Sequence, residues 1–262
     1  MSADPSPAGL PADDLATFCD ALADAARPIA LRYFRGAAGY DQKDDLTPVT
    51  VADRTIEAML RDRIAGRFPD HGIVGEEFDN VEGDRFTWYL DPIDGTKSFI
   101  TGMPLFGTLL ALADRGRAIV GVIDMPALGE RWVGTAAGTT FNGRPARVSA
   151  VGALAEAQVY TSSPDFFQAD EWPRYDALSR RCRFRRFGGD CYQYALLASG
   201  YCDLVVETSL KTFDFMPLIA VVEGAGGLIR DWDGRALTPR SDGRVVAAAT
   251  PALMDAALEA LW

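Results

Sequence analysis

Histidine is nearly absent from this 262-residue chain, with His71 the one copy. A mechanism built on several histidines, or a His-rich zinc site, is therefore excluded. His71 sits in Phe68-Pro-Asp-His-Gly72, which reads as a turn. Cysteine is sparse as well. Cys19, Cys182, Cys191 and Cys202 form no Cys-x-x-Cys pair, so they read as free thiols in a reducing compartment. No apolar run approaches the roughly 18 residues that cross a bilayer. No repeat of about 20–50 residues is visible. Positive charge is in short supply: 26 Lys+Arg stand against 37 Asp+Glu, for a net charge of −11. That balance excludes a general nucleic-acid binder and a polybasic membrane anchor. Met1 to Asp14 has neither a basic n-region nor an apolar h-region, so it does not read as a signal peptide. Residues 1–12 are expected to be a disordered lead, and a cytoplasmic location is expected.

What is present suits a globular α/β protein, since 48% of the residues are hydrophobic. Leu15, Phe18, Leu22, Ala25, Ile29 and Tyr33 recur at helical spacing, which predicts a helix over 13–35 bent near Pro28. Thr50 can cap a second helix with Asp53 at its third position, and Ile56, Leu60, Ile64 and Phe68 form its apolar stripe. Strands are expected at Ile73-Val74, at 86–90 ending on Asp91, at 105–113 and at 118–124. Asp114-Arg-Gly116 reads as a tight turn, and Asn142-Gly143 as another hairpin or turn. Beyond about residue 145 helices and strands alternate, ending in a helix over 251–262. The boundaries drawn are an α+β half over 13–145 and an α/β half over 146–262.

Acidic residues gather where strands end, the places from which loops present side chains to ligands. Gly75-Glu76-Glu77 follows one short strand. Asp91-Pro92-Ile93-Asp94-Gly95-Thr96 follows a longer one. Asp214 opens a helix after Lys211-Thr-Phe213. Pro92 and Gly95 break the strand, so a turn can bring Asp91 and Asp94 to one point. Gly95 admits close approach by a ligand, and Thr96 adds a hydroxyl and an amide that can bind phosphate. Carboxylates beside a phosphate-binding turn suit Mg²⁺, which takes oxygen ligands and shares them with phosphate. An Asp-rich turn that merely caps a helix fits the same spacing. A haloacid-dehalogenase-type phosphatase needs Asp-x-Asp-x-Thr; here the acids are one residue too far apart.

Taken together, Gly75-Glu76-Glu77, Asp91 to Thr96, and Asp214 with Glu223-Gly-Ala-Gly-Gly227 resemble the inositol monophosphatase family over roughly residues 15–260. Phe213 stands where that family often has Trp. The resemblance implies a layered αβαβα sandwich with a metal-binding N-terminal half and a substrate-binding C-terminal half. It implies two or three Mg²⁺ per site and inhibition by Li⁺. Glu76, Asp91 and the Ile93 carbonyl would hold a first metal, and Asp91, Asp94 and Asp214 a second. Gly95 and Thr96 would bind phosphate. Thr96, hydrogen-bonded to Asp53, would orient an in-line attacking water with Glu76. Glu77 is open between a site acid and a surface acid. A homodimer is expected, with a small phosphate ester as the partner molecule and neither nucleic acid nor membrane.

The substrate expectation rests on Glu207 and Asp190. The resemblance places Glu207 against the hydroxyls of the leaving alcohol. It places Asp190 where inositol phosphatases carry a small neutral residue. Two carboxylates there favour a cationic alcohol, because a buried charge needs a partner. Asp190 can also be read as a helix N-cap. Ser98-Phe-Ile100, Gly189-Asp-Cys-Tyr192 and Glu207-x-x-Leu-Lys-x-x-Asp214 are similar to the histidinol-phosphatase branch of the family. Inositol, sugar or nucleotide phosphates are the alternative substrates, and a non-catalytic metal-binding protein is the alternative class. Five arginines between Arg180 and Arg186 read as a solvated helix end with an edge strand, or as a partner-facing or substrate-rim patch. Asp231-Trp-Asp-Gly234 reads as a hairpin turn, and Lys43 as a residue near the metal mouth or in a mobile loop.

Overall fold

A computed structural model of the chain describes residues 12–36, 40–42 and 48–262. Lys43, and the expected lead up to residue 11, lie outside the described residues. The first helix, α1 (Ala12–Tyr33), contains Pro28. A short antiparallel pair follows, β1 (Tyr40–Gln42) with β2 (Pro48–Thr50). It leads into α2 (Val51–Arg67). Here Thr50 Oγ1 accepts from the amides of Ala52 and Asp53, while Asp53 Oδ2 accepts from Thr50 N at 2.8 Å. This reciprocal cap satisfies donors that a helix start leaves orphaned.

Seven strands form the larger sheet in chain order. They are β3 (Gly72–Gly75), β4 (Phe86–Asp94), β5 (Gly107–Asp114), β6 (Arg117–Met125), β7 (Glu130–Thr135), β8 (Gly138–Phe141) and β9 (Arg144–Ala146). Only β3 and β4 run parallel. The short helix α3 (Thr96–Ile100) separates β4 from β5. The smaller sheet has the order β11-β10-β12-β14-β13. Its strands are β10 (Gln158–Thr161), β11 (Phe184–Phe187), β12 (Leu204–Glu207), β13 (Leu228–Asp231) and β14 (Val245–Ala248). Between them lie α4 (Trp172–Ser179), α5 (Cys191–Ala198) and α6 (Thr212–Gly224), and α7 (Pro251–Leu261) closes the chain.

Side-chain alternation explains the layering. On β4, Trp88 and Leu90 face α1 and α2, whereas Tyr89 faces α5 and α6. On β12, Val205 joins the central layer while Leu204 and Val206 join Tyr175, Leu253 and Ala257 of α4 and α7. The central strands of both sheets are thus buried on both faces, which is why β5, β12 and β14 read as near-continuous apolar runs. The order is helices, large sheet, helices, small sheet, helices: the αβαβα sandwich expected from the resemblance. α6 crosses the large sheet very closely. A Cβ at Gly121 or Gly134 would lie 2.1 Å from the Pro217 carbonyl oxygen or 2.3 Å from that of Ala220.

Several boundaries differ from the sequence expectation. β4 does not end at Asp91. It continues to Asp94 with a register shift between the two acids, because Asp94 regains pairing with Gly107. β7 was not anticipated, since its short strand carries weak alternation, whereas the turns read at Asn142-Gly143 and at Asp231 to Gly234 join β8 to β9 and follow β13. His71 is more than a surface turn residue. Its Nδ1 accepts from Trp88 Nε1 at 3.0 Å, its ring stacks on Phe68, and burial lowers its pKa. All four cysteines are free. Arg180 and Arg185 both ion-pair with Asp176, and Arg185 lies on edge strand β11.

Candidate active site

A cavity of about 340 Å³ opens where the ends of β4, β12 and α6 meet, and Glu76, Asp91, Asp94, Asp190, Glu207 and Asp214 all line it. Two acidic groups stand out among the described residues. In the first, ligand atoms of Asp91, Asp94 and Asp214 lie within 4.8 Å of one another; in the second, those of Asp53, Glu76 and Glu77 do. Glu77, left open by the sequence, therefore stands in the second group.

The turn after β4 is held by its own polar groups. Ile93 N donates to Asp91 Oδ1, Thr96 Oγ1 donates to the Ile93 carbonyl at 3.1 Å, and Thr108 Oγ1 donates to that of Pro92. The expected Thr96–Asp53 hydrogen bond is not formed. Asp53 Oδ2 is taken by Thr50, and its buried Oδ1 has no partner. Asp94 Oδ2 accepts from the amide of Cys191 at 2.6 Å, so a carboxylate from the large sheet caps α5. Asp190, by contrast, is not a side-chain cap. Its backbone is strained (φ 45°), its side chain makes no cap bond, and its Oδ2 accepts from Ser98 Oγ at 3.3 Å. Gly95 has φ 80°, and a Cβ there would meet Asp190 Oδ2 at 2.9 Å, so glycine lets the two segments close on each other.

Charge repulsion is built into this site. Burial first, then the carboxylates of Glu76 and Asp94, push Asp91 far above the ordinary range. Burial and neighbouring Asp190 push Asp94 up to about 7. Burial and Asp94 raise Asp214 strongly. Burial raises Asp53 to about 6 against the opposing Thr50 hydrogen bonds. Acids gathered this way, offering only oxygen donors, fit a hard divalent cation such as Mg²⁺.

Glu207 is fully buried, with Oε1 accepting from Ser162 N at 2.6 Å, from Ser162 Oγ at 2.8 Å and from Gln193 Nε2. Its Oε2 has no partner, and burial raises its pKa to about 8. Burial also raises Asp190, opposed by Ser98 and Lys97. The Lys97 ammonium lies 5.1 Å from the ring centroid of Phe166 at the cavity wall.

The profile described as the inositol monophosphatase family matches residues 12–262. The chain belongs to this family. Among its relatives is the chloroplastic bifunctional phosphatase IMPL2 of Arabidopsis thaliana, 44% identical over 85% of this chain, which spans 66% of that protein's length. A histidinol-phosphatase of Chlorobaculum parvum is 39% identical over 82% of this chain and 84% of its own. An inositol monophosphatase from Zymomonas mobilis has a similar structure, with TM-score 0.88 and 42% identity over 95% of this chain and 98% of its own.

As an inositol monophosphatase family member, the chain is a phosphatase of phosphate monoesters. Family motifs pointed to the acids but not to what holds them. Ser162 and Gln193 carried no signal, and Ser98 and Cys191 stood in family-like segments without any hint of their bonds, because all these partners are more than ten residues away in sequence. Glu57 and Arg61 did leave a trace, an acid and a base four residues apart beside the apolar stripe of α2.

Proposed function

We propose that the chain is a Mg²⁺-dependent phosphatase of histidinol phosphate, releasing histidinol and inorganic phosphate in histidine biosynthesis. The observation that carries this is the pair Asp190 and Glu207, two carboxylates lining the same cavity as the acidic cluster. Burial raises the pKa of both, and a cationic leaving group would supply the counter-charge that favours their ionised forms, which a neutral polyol does not. Relatives that carry the name histidinol-phosphatase support the reading.

Glu76, Asp91, the Ile93 carbonyl, Asp94 and Asp214 would hold the cations, with Asp53 and Glu77 beside Glu76. Bound Mg²⁺ would lower the pKa of water and neutralise charge on the phosphate and leaving oxygens. Gly95 and Thr96 would bind the phosphate oxygens through their amides. Glu76 and Thr96 would orient the attacking water along the line opposite the leaving oxygen, and Asp53 would fix the start of α2 behind them. Residues 13–145 then supply most of the cation site and residues 146–262 most of the alcohol site. Li⁺ would inhibit, and the active form would be a homodimer.

Inositol phosphate is the competing substrate, favoured by the similarity to the Zymomonas mobilis enzyme. Phosphate release from histidinol phosphate and inositol 1-phosphate, each with Mg²⁺ and with EDTA, separates the readings. Histidinol phosphate should have the higher kcat/KM, and EDTA should abolish both activities. A preference for inositol 1-phosphate would overturn the substrate assignment. No release from any ester with Mg²⁺ present would leave only a metal-binding role.

A further inference from the structure

Asp53, Glu57 and Arg61 are spaced four residues apart on α2, so one helix face presents all three in a row. Asp53 belongs to the acidic group with Glu76 and Glu77. Glu57 is fully buried, and each of its oxygens is engaged. Oε1 accepts from Arg61 Nε at 2.8 Å, and Oε2 accepts from the amide of Glu77 at 2.8 Å. The remaining guanidinium nitrogens of Arg61 reach the same turn. Nη1 donates to the Asp79 carbonyl at 2.9 Å and Nη2 to the Phe78 carbonyl at 3.0 Å. The guanidinium also lies 5.8 Å from the Phe78 ring centroid.

Residues 76–80 form neither helix nor strand. Three consecutive residues of this irregular stretch, 77 to 79, are nevertheless tied by their backbone to one ion pair. Gly75 makes the approach possible. A Cβ there would lie 2.1 Å from Glu57 Oε1 and 2.9 Å from Arg61 Nη2. The planar five-donor fork of Arg suits this task, because it can hold a carboxylate and two carbonyls at once.

We propose that Glu57 and Arg61 are positioning residues, which set the Glu76-Glu77 turn against Asp53 and so tune the affinity for the cation that Glu76 holds. The proposal rests on Glu76 being a metal ligand. The two cation positions would share Asp91 but not the turn that carries Glu76. The Asp91, Asp94 and Asp214 group is built from β4 and α6. Loosening the turn should therefore weaken the cation step that depends on Glu76 more than the step that depends on Asp94 and Asp214. Changes to groups that support metal ligands typically cost about 10–100-fold in metal affinity.

The test is a titration of the metal-stripped full chain with Mn²⁺ alone, following the EPR signal of free Mn²⁺. Variants are Glu57→Gln, Arg61→Ala, Arg61→Lys and Gly75→Ala, with Glu76→Gln as reference. Gly75→Ala displaces the clamp without removing a charge, and Arg61→Lys keeps the charge with fewer donors. Folding is checked by circular dichroism and by Tm in EDTA. Glu76→Gln should lose one binding step. Glu57→Gln, Arg61→Ala and Gly75→Ala should weaken that same step by about tenfold or more, and Arg61→Lys less. Folded variants that bind Mn²⁺ like the wild type, while Glu76→Gln loses a step, would overturn the clamp alone. If Glu76→Gln also binds like the wild type, the metal assignment of Glu76 fails and the clamp's role falls with it.

Discussion

Glu207→Gln should reverse its effect on stability as pH rises. The side chain is fully buried and its pKa is raised from 4.5 to about 8, by burial first, with Ser162 and Gln193 opposing and Asp190 adding to the rise. Below pH 4.5 Glu207 is neutral in both folded and unfolded chains. Between pH 4.5 and about 8 the unfolded chain ionises while the folded one keeps the proton. The native state then binds more protons, and stability falls as pH rises. At about 1.4 kcal/mol per pH unit, the loss reaches on the order of 5 kcal/mol across that window. Glutamine keeps the Oε1 acceptor that Ser162 and Gln193 use. It puts an amide where the unpartnered Oε2 sits, at a cost of about 1–3 kcal/mol at any pH. The variant should therefore be slightly less stable than wild type at pH 5 and more stable, by on the order of 2–4 kcal/mol, at pH 8. Urea unfolding in EDTA from pH 5 to 8.5 measures both curves, and EDTA removes any contribution from bound cations. Curves that stay parallel over that range would refute the reasoning that a protonated Glu207 stabilises the free enzyme.

Asp94→Asn keeps an acceptor for the Cys191 amide and removes one of the mutually repelling charges, so Tm in EDTA should hold or rise. Its kcat should nonetheless fall by more than about 100-fold on every ester, because a ligand outweighs its supports; a wild-type kcat in Mg²⁺ would exclude Asp94 as a ligand. Asp190→Ala should raise KM for histidinol phosphate far more than for inositol 1-phosphate, and equal increases would sink the cationic-substrate argument. Mg²⁺ should raise Tm in wild type by relieving the repulsion among Asp91, Asp94 and Asp214. Scanning calorimetry would read this as a shift that shrinks in Asp214→Asn, and persistence of the full shift in that variant would refute it. Gly95→Ala meets a positive φ together with the Leu105 carbonyl oxygen at 3.0 Å. It should cost about 1–3 kcal/mol by thermal unfolding, and a neutral substitution would contradict the close approach.

Much of the helical framework was legible because its causes are local. The stripe Ile56, Leu60, Ile64 and the cap Thr50 with Asp53 lie within one helix, so spacing alone reveals them. The layered sandwich came from family motifs rather than from periodicity, because a sheet buried on both faces no longer alternates in composition. The short strand β7 was missed, and β8, β9 and β13 were marked only by their turns, since these strands owe their existence to neighbours across the sheet. Asp190 shows the limit most clearly. Its position before α5 suggests a cap, yet the cap comes from Asp94, 97 residues away from Cys191.

The sequence by itself determined the acids. Their spacing at strand ends, the scarcity of histidine and cysteine, and the family motifs together fix an oxygen-lined phosphatase site. Only the tertiary structure decided which acids share a point, which oxygens are already engaged and which are left bare. Thr96 turns to the Ile93 carbonyl, Glu207 is held by Ser162 and Gln193, and Glu57 with Arg61 fastens the turn after β3. The physical reason is distance along the chain. Local spacing sets which face of an element a side chain occupies, whereas burial, repulsion and hydrogen bonding at the site depend on segments that meet only when the two sheets close around α5 and α6.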